Sequence, residues 1–108
     1  MKFDFGSLDR DIEADWPVRV SVPQDGGKAQ EEVFLVRFRV TSDADLISLG
    51  MGVEAAKKSL RKCIVGLAQS EGRELTDELL TKMLDRAYIR TALVTAYSEF
   101  SLGIEAKN

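Results

Sequence analysis

Trp16-Pro17-Val18-Arg19-Val20-Ser21-Val22 and Val33-Phe34-Leu35-Val36-Arg37-Phe38-Arg39-Val40 decide the fold. In the first run Trp16, Val18, Val20 and Val22 alternate with Pro17, Arg19 and Ser21, the period of a strand with one face on a core. Pro17 marks its start or an edge, because proline has no N–H to give a ladder. In the second run Phe34, Val36, Phe38 and Val40 point one way and Arg37 and Arg39 the other. Between them, Pro23-Gln24-Asp25-Gly26-Gly27-Lys28 supplies the positive φ that tight reversals need. The two runs form a β-hairpin with an aromatic and β-branched inner face. A lone hairpin is unstable, so helices must cover it.

Downstream sequence supplies those helices. Ser42-Asp43-Ala44-Asp45 has the form of a helix start, and Leu46, Leu49, Val53, Ala56, Leu60, Ile64 and Leu67 recur at steps of three and four. Gly50 and Gly52 each cost about 1 kcal/mol against alanine in a helix, so the pattern predicts two helices, about 43–49 and 53–65. Ser70-Glu71-Gly72-Arg73 is a polar reversal. Thr76 caps a third helix with Asp77 and Glu78 in its first turn, the favourable sign for the helix dipole. Asp85 starts the last helix, whose stripe is Ile89, Ala92, Leu93, Ala96, Tyr97 and Phe100, and Gly103 stops it. Upstream, Phe3 and Phe5 suggest a short strand or extended arm, followed by a helical turn capped by Ser7. The expectation is one α+β domain over 1–108. Its 1–40 part holds an arm and an antiparallel β-hairpin, with Phe3/Phe5 as candidate third strand, and its 41–108 part holds three to four helices.

Composition narrows the chemistry. The chain has 108 residues, no histidine, one cysteine, 15 Lys+Arg and 18 Asp+Glu. Without histidine, Ser-His-Asp triads, Cys-His pairs and imidazole zinc sites are excluded. Cys63 alone makes neither an internal disulfide nor a thiolate metal knot, and it sits in an apolar helical run that suits a buried thiol. A domain of this size buries about two-thirds of its surface, enough for one core but not for a deep substrate cleft as well. No apolar run approaches the roughly 20 residues of a membrane span, and the first residues, rich in Asp, do not read as a targeting signal. No catalytic residue, cofactor or metal site is expected, and a cytoplasmic location is.

Motif matches are poor. Asp43, Asp45 and Glu54 mimic part of a calcium loop, but Ile47 and Ser48 stand where it needs an oxygen ligand and a glycine. Gly50-Met51-Gly52-Val53-Glu54-Ala55 matches a phosphate fingerprint but follows a helix instead of a strand. The charge pattern says more. Residues 1–32 carry eight acids and four bases, while 33–108 carry ten acids and eleven bases. Lys57, Lys58, Arg61 and Lys62 form i, i+4 pairs on one helix, partly offset by Glu54. They are either a solvated face suited to a helix C-terminus or a docking surface for an acidic partner or another subunit's acidic arm. Trp16, Tyr88, Tyr97 and Phe100 are core or interface anchors.

Two stretches together resemble the tail assembly chaperones of long-tailed bacteriophages. The first is Lys2-Phe3-Asp4-Phe5 with Asp15-Trp16-Pro17-Val18-Arg19-Val20-Ser21-Val22-Pro23-Gln24-Asp25-Gly26-Gly27 and Phe34 through Phe38. The second is Cys63-Ile64-Val65-Gly66-Leu67, Leu75-Thr76, and Tyr88 through Ala92-Leu93-Val94-Thr95-Ala96-Tyr97. The resemblance implies a non-enzymatic morphogenesis factor that binds the helical tape measure protein, keeps it soluble until tail tube subunits polymerise around it, and leaves before the tail is finished. It implies self-association in the host cytoplasm, with the tape measure protein as partner and the tail tube protein as a further candidate. It also implies a longer form of the chain made by ribosomal frameshifting, for which codons of Ala106-Lys107-Asn108 can supply a slippery A-AAA-AAC or A-AAA-AAU. The readings weighed against this one are a structural head–tail or tail-completion protein of the virion and a small nucleic-acid-binding regulator. The acidic net charge disfavours the second, and neither nucleic acid nor membrane is an expected partner.

Overall fold

Alternation in the two quoted runs gives two long antiparallel strands in the computed structural model, which describes residues 2–40 and 52–106. They are β1 (Glu13–Gln24) and β2 (Lys28–Arg39), in register from Glu13 opposite Arg39 to Gln24 opposite Lys28. The Asp25-Gly26-Gly27 turn joins them with φ of 77° and 75° at its two glycines, values that residues with a Cβ rarely adopt. Because side chains alternate, Ala14, Trp16, Val18, Val20 and Val22 share one face with Phe34, Val36 and Phe38. That face is the core. Val18, Val36 and Phe38 are fully buried in it.

Three helices cover this face: α1 (Val53–Cys63), α2 (Asp77–Leu84) and α3 (Ala87–Ser101). The longest, α3, lies along β1 and buries Ala92, Leu93, Val94, Ala96, Tyr97 and Phe100. Four rings meet beneath it. Trp16 packs edge-on to Phe100 at 5.3 Å between ring centroids, and Phe38 lies 5.5 Å from Tyr97 and 5.7 Å from Phe100. Edge-on and offset pairs of this kind add about 0.5–1.5 kcal/mol each beyond the area they bury. The opposite sheet face is polar: Arg37 binds Glu13 at 2.8 Å and Asp15 at 3.1 Å, and Arg19 binds Glu31 at 2.7 Å.

The α+β class holds, and the structure changes several of its expected details. The third strand is β3 (Ile64–Leu67), paired antiparallel to β2, so the order is β1-β2-β3. Thus the 41–108 part is not wholly helical, and the helix expected over 53–65 stops at Cys63. Ile64 and Val65 are β-branched and Gly66 is a poor helix former, while β2 offers them an open edge. Val65 is the extra residue of a bulge between the Phe38–Ile64 and Arg37–Gly66 pairs.

Phe3 and Phe5 do not form a strand. Asp4 caps a 3₁₀ turn over Phe5–Asp9, its Oδ1 accepting from the Gly6 N–H at 3.0 Å, while Ser7 Oγ donates to the Asp4 carbonyl at 2.7 Å. Asp4, not Ser7, is therefore the cap, because its carboxylate reaches the backbone two residues on. Asp85 ends α2 instead of starting α3, which begins at Ala87. Its carboxylate goes to Lys57, and Arg90 Nη1 donates to the Leu84 carbonyl at 2.7 Å. Thr76 caps α2 as expected, accepting from the Leu79 N–H at 3.1 Å, and Gly103 follows α3 with φ of 72°. The helix expected over 43–49, its Ser42 cap, and Gly50 lie outside the described residues.

Candidate functional site

The four basic residues of α1 split into two pairs. Lys57 Nζ lies 2.8 Å from Asp85 Oδ1 and 3.7 Å from Glu54. Arg61 Nη1 lies 2.9 Å from Asp77 Oδ1, and its Nη2 donates to Thr81 Oγ1 at 2.6 Å. These two tie α1 to both ends of α2. Lys58 and Lys62 are exposed and make no ion pair among the described residues. The spacing that suggested one basic face therefore serves two purposes, since residues 57 and 61 lie one turn apart on the side toward α2.

The hydrogen bond from Lys57 is the main reason the Asp85 carboxyl is held below its ordinary value of 3.8, and the one to Asp85 raises Lys57 above 10.5. A depressed carboxyl stabilises the fold above its ordinary value and loses that contribution as pH falls through the depressed one. A raised amine contributes below its ordinary value and loses the contribution as pH rises through the raised one. The pair should thus stabilise the α1–α2 contact between 3.8 and 10.5. In Asp85→Asn the urea midpoint should fall modestly below wild type at neutral pH, and the gap should close as pH drops below 3.8. A gap that persists in acid would show that the pair is not its source. The effect is small because such pairs lie open to water.

Cys63 is fully buried, its thiol 3.5 Å from the Leu60 carbonyl, and desolvation pushes it up to about 12. A thiol so placed is a packing group, not a nucleophile.

A groove runs between the free edge of β1 and α3. Its two adjoining hollows, of about 190 and 410 Å³, share Arg19, Ala92 and Thr95. Trp16, Pro17 and Ser21 complete the β1 wall, and Ala96, Thr91 and Tyr88 the α3 wall, with Glu99 at one end. The groove exists because α3 presents small side chains here: alanine and threonine at one-turn spacing leave the strand edge uncovered.

The register shows what this edge can accept. The Leu35 N–H donates to a Glu71 carboxylate oxygen at 2.7 Å, and its carbonyl accepts from Ala68 at 3.0 Å. Leu35 thus points away from β1, and its partner Pro17 points its backbone outward along the open edge. Pro23, six residues on, shares that direction. Two positions of the edge therefore offer no N–H, which discourages an added strand.

On the other flank of α3, Phe34, Leu67, Met83 and Ile89 with Glu71 line a second, apolar hollow of about 210 Å³. Sequence reasoning missed both the groove and this hollow. The signal for the first was the small-residue set Ala92, Thr95 and Ala96, of which Ala92 and Ala96 were read only as part of the apolar stripe and Thr95 was not singled out. Of the expected anchors, Tyr97 and Phe100 are core, Trp16 is half-buried between core and groove, and Tyr88 is half-buried in the groove wall. Among the described residues no helix is long and apolar enough to cross a membrane.

Fold and surface together define a small α+β domain with helix-lined grooves on both flanks of its longest helix. No family model matches the chain, and neither the curated proteins nor the solved structures yield a significant match.

Proposed function

We propose that this protein is a bacteriophage tail assembly chaperone that binds and solubilises the tape measure protein during tail morphogenesis, without catalysis. One observation carries the reading. The two stretches that resemble that family, Asp15–Gly27 and Tyr88–Tyr97, lie far apart in sequence yet supply the opposing walls of one groove, Trp16, Pro17, Arg19 and Ser21 facing Tyr88, Ala92, Thr95 and Ala96.

An extended apolar helix needs a reversible cover along its length. Small side chains on α3 let such a helix approach closely, Trp16 and Tyr88 provide aromatic contact area, and Arg19 and Glu99 at the rim favour complementary charges. Many copies acting together give avidity from weak single contacts, which is the purpose of a homo-oligomer in the host cytoplasm. The protein then leaves as tail tube subunits assemble, and a longer frameshifted form of it is part of the same reading. Lys58 and Lys62 remain available as contacts for an acidic partner, while Lys57 and Arg61 serve them only where their internal pairs open.

Co-expression with the tape measure protein tests the proposal. The tape measure protein should move from the insoluble to the soluble fraction when this chain is present. If it is no more soluble with the chain than without it, the proposal fails. Recovery of the chain in purified virions at a fixed copy number would favour a structural role instead.

A further inference from the structure

Phe3, Phe5, Leu8 and Ile12 are 62%, 75%, 71% and 59% exposed, a run of large apolar side chains that the subunit's own core does not take up. Their arm is nevertheless ordered by local bonds. Asp4 caps its turn, Ser7 Oγ donates to the Asp4 carbonyl, Arg10 lies 3.4 Å from Asp4, and the Phe3 and Phe5 rings meet edge-on with centroids 5.0 Å apart. The result is a preformed apolar knob, so docking it costs little ordering entropy.

The hollow of Phe34, Leu67, Met83 and Ile89 is its counterpart. At about 210 Å³ it is larger than the roughly 150 Å³ that accepts a benzene ring in an apolar cavity. Charge agrees as well. Residues 2–12 carry three acids and two bases, whereas residues 82–90, the α2–α3 corner beside the hollow, carry three bases and one acid, and Glu71, the charged residue of the hollow's lining, already accepts from the Leu35 N–H. The two features do not meet within one subunit. No arm residue lines the hollow, Phe3 and Phe5 stand exposed, and the arm joins the sheet at the bond from the Val40 N–H to the Ile12 carbonyl, six residues along β2 from Phe34.

We propose that the arm of one copy docks its Phe3–Phe5 knob into the Phe34–Leu67–Met83–Ile89 hollow of a second copy. This contact leaves the β1–α3 groove open and does not depend on what that groove binds.

Sedimentation velocity over a concentration series tests it. Wild type should self-associate, and Phe3→Ser/Phe5→Ser should weaken association by about tenfold or more, the scale of removing aromatic anchors. Both positions are exposed, so the variant should keep its circular dichroism and urea midpoint. As a second measurement, singly substituted Phe5→Cys and Met83→Cys chains carrying different tags should form a mixed disulfide under mild oxidation, Cys63 being buried. Phe5→Cys mixed with Thr95→Cys should not. A monomeric wild type overturns the proposal. So does association that survives loss of both rings, cross-linking to position 95 instead of 83, or a Phe5→Cys/Met83→Cys double variant that closes only within one chain.

Discussion

Replacing Phe38 by alanine is expected to destabilise the domain by about 3–5 kcal/mol, the range for deleting a buried phenyl ring. That is a large part of the roughly 5–15 kcal/mol that holds a domain of this kind. Phe38 is fully buried where the three strands and α3 converge. It stands opposite Ala14 on β1 and Ile64 on β3, and its ring contacts Tyr97 and Phe100. Ala14 is too small to fill the space, and Ile64 is held by its own pairing, so the site relaxes little and a cavity remains. At about 4–8 °C per kcal/mol, the melting temperature should fall by at least about 12 °C. Urea denaturation followed by circular dichroism measures it. A loss below about 1 kcal/mol would contradict this packing, since exposed positions change stability by about 0.5 kcal/mol or less.

The second large effect concerns binding alone. Thr95→Trp should abolish solubilisation of the tape measure protein while leaving the urea midpoint near wild type. Thr95 is exposed on α3 and lines both hollows of the β1–α3 groove, so an indole there fills the channel without entering the core. The exposed groove has room for the added ring, which avoids the strain of overpacking. Co-expression separates the two readouts. Loss of the tape measure protein from the soluble fraction, with the variant itself soluble and stable, is the expected result. Undiminished solubilisation would remove this groove from the proposed function. Lys58→Glu/Lys62→Glu serves as the comparison: weakened binding whose deficit is largest at low salt and shrinks as salt is raised would place the contact on α1 instead.

Much of the fold was legible because its signals are local. The hairpin was marked by period-two alternation and an Asp-Gly-Gly turn, and these survive any tertiary context that offers one apolar layer. Thr76 and the acids after it marked α2 because a cap is satisfied within four residues. Where local signals competed, the reading failed. Ile64 continues a helical stripe, yet it and Val65 are β-branched, and only the open edge of β2 selects strand. Asp85 has the form of a cap, but Lys57, on another helix, takes its carboxylate.

The binding surfaces were less legible for the same reason. Lys57, Lys58, Arg61 and Lys62 were identified by helical spacing, yet spacing does not reveal which of them face α2. Ala92 and Ala96 read as apolar stripe, and only the position of α3 beside an edge strand turns their small size, with that of Thr95, into a groove.

The sequence by itself determined the α+β class, the hairpin and its turn, and the absence of histidine with the chemistry that removes. Those follow from composition and from contacts between near neighbours. Tertiary structure alone decided the third strand, the sorting of the basic helix into ties to α2 and charges with no ion pair among the described residues, and the groove and hollow flanking α3. Each of these depends on what a residue meets across the core. A side chain's pattern fixes which way it points, but its partner is fixed only when a distant element arrives to bury it or leaves it open.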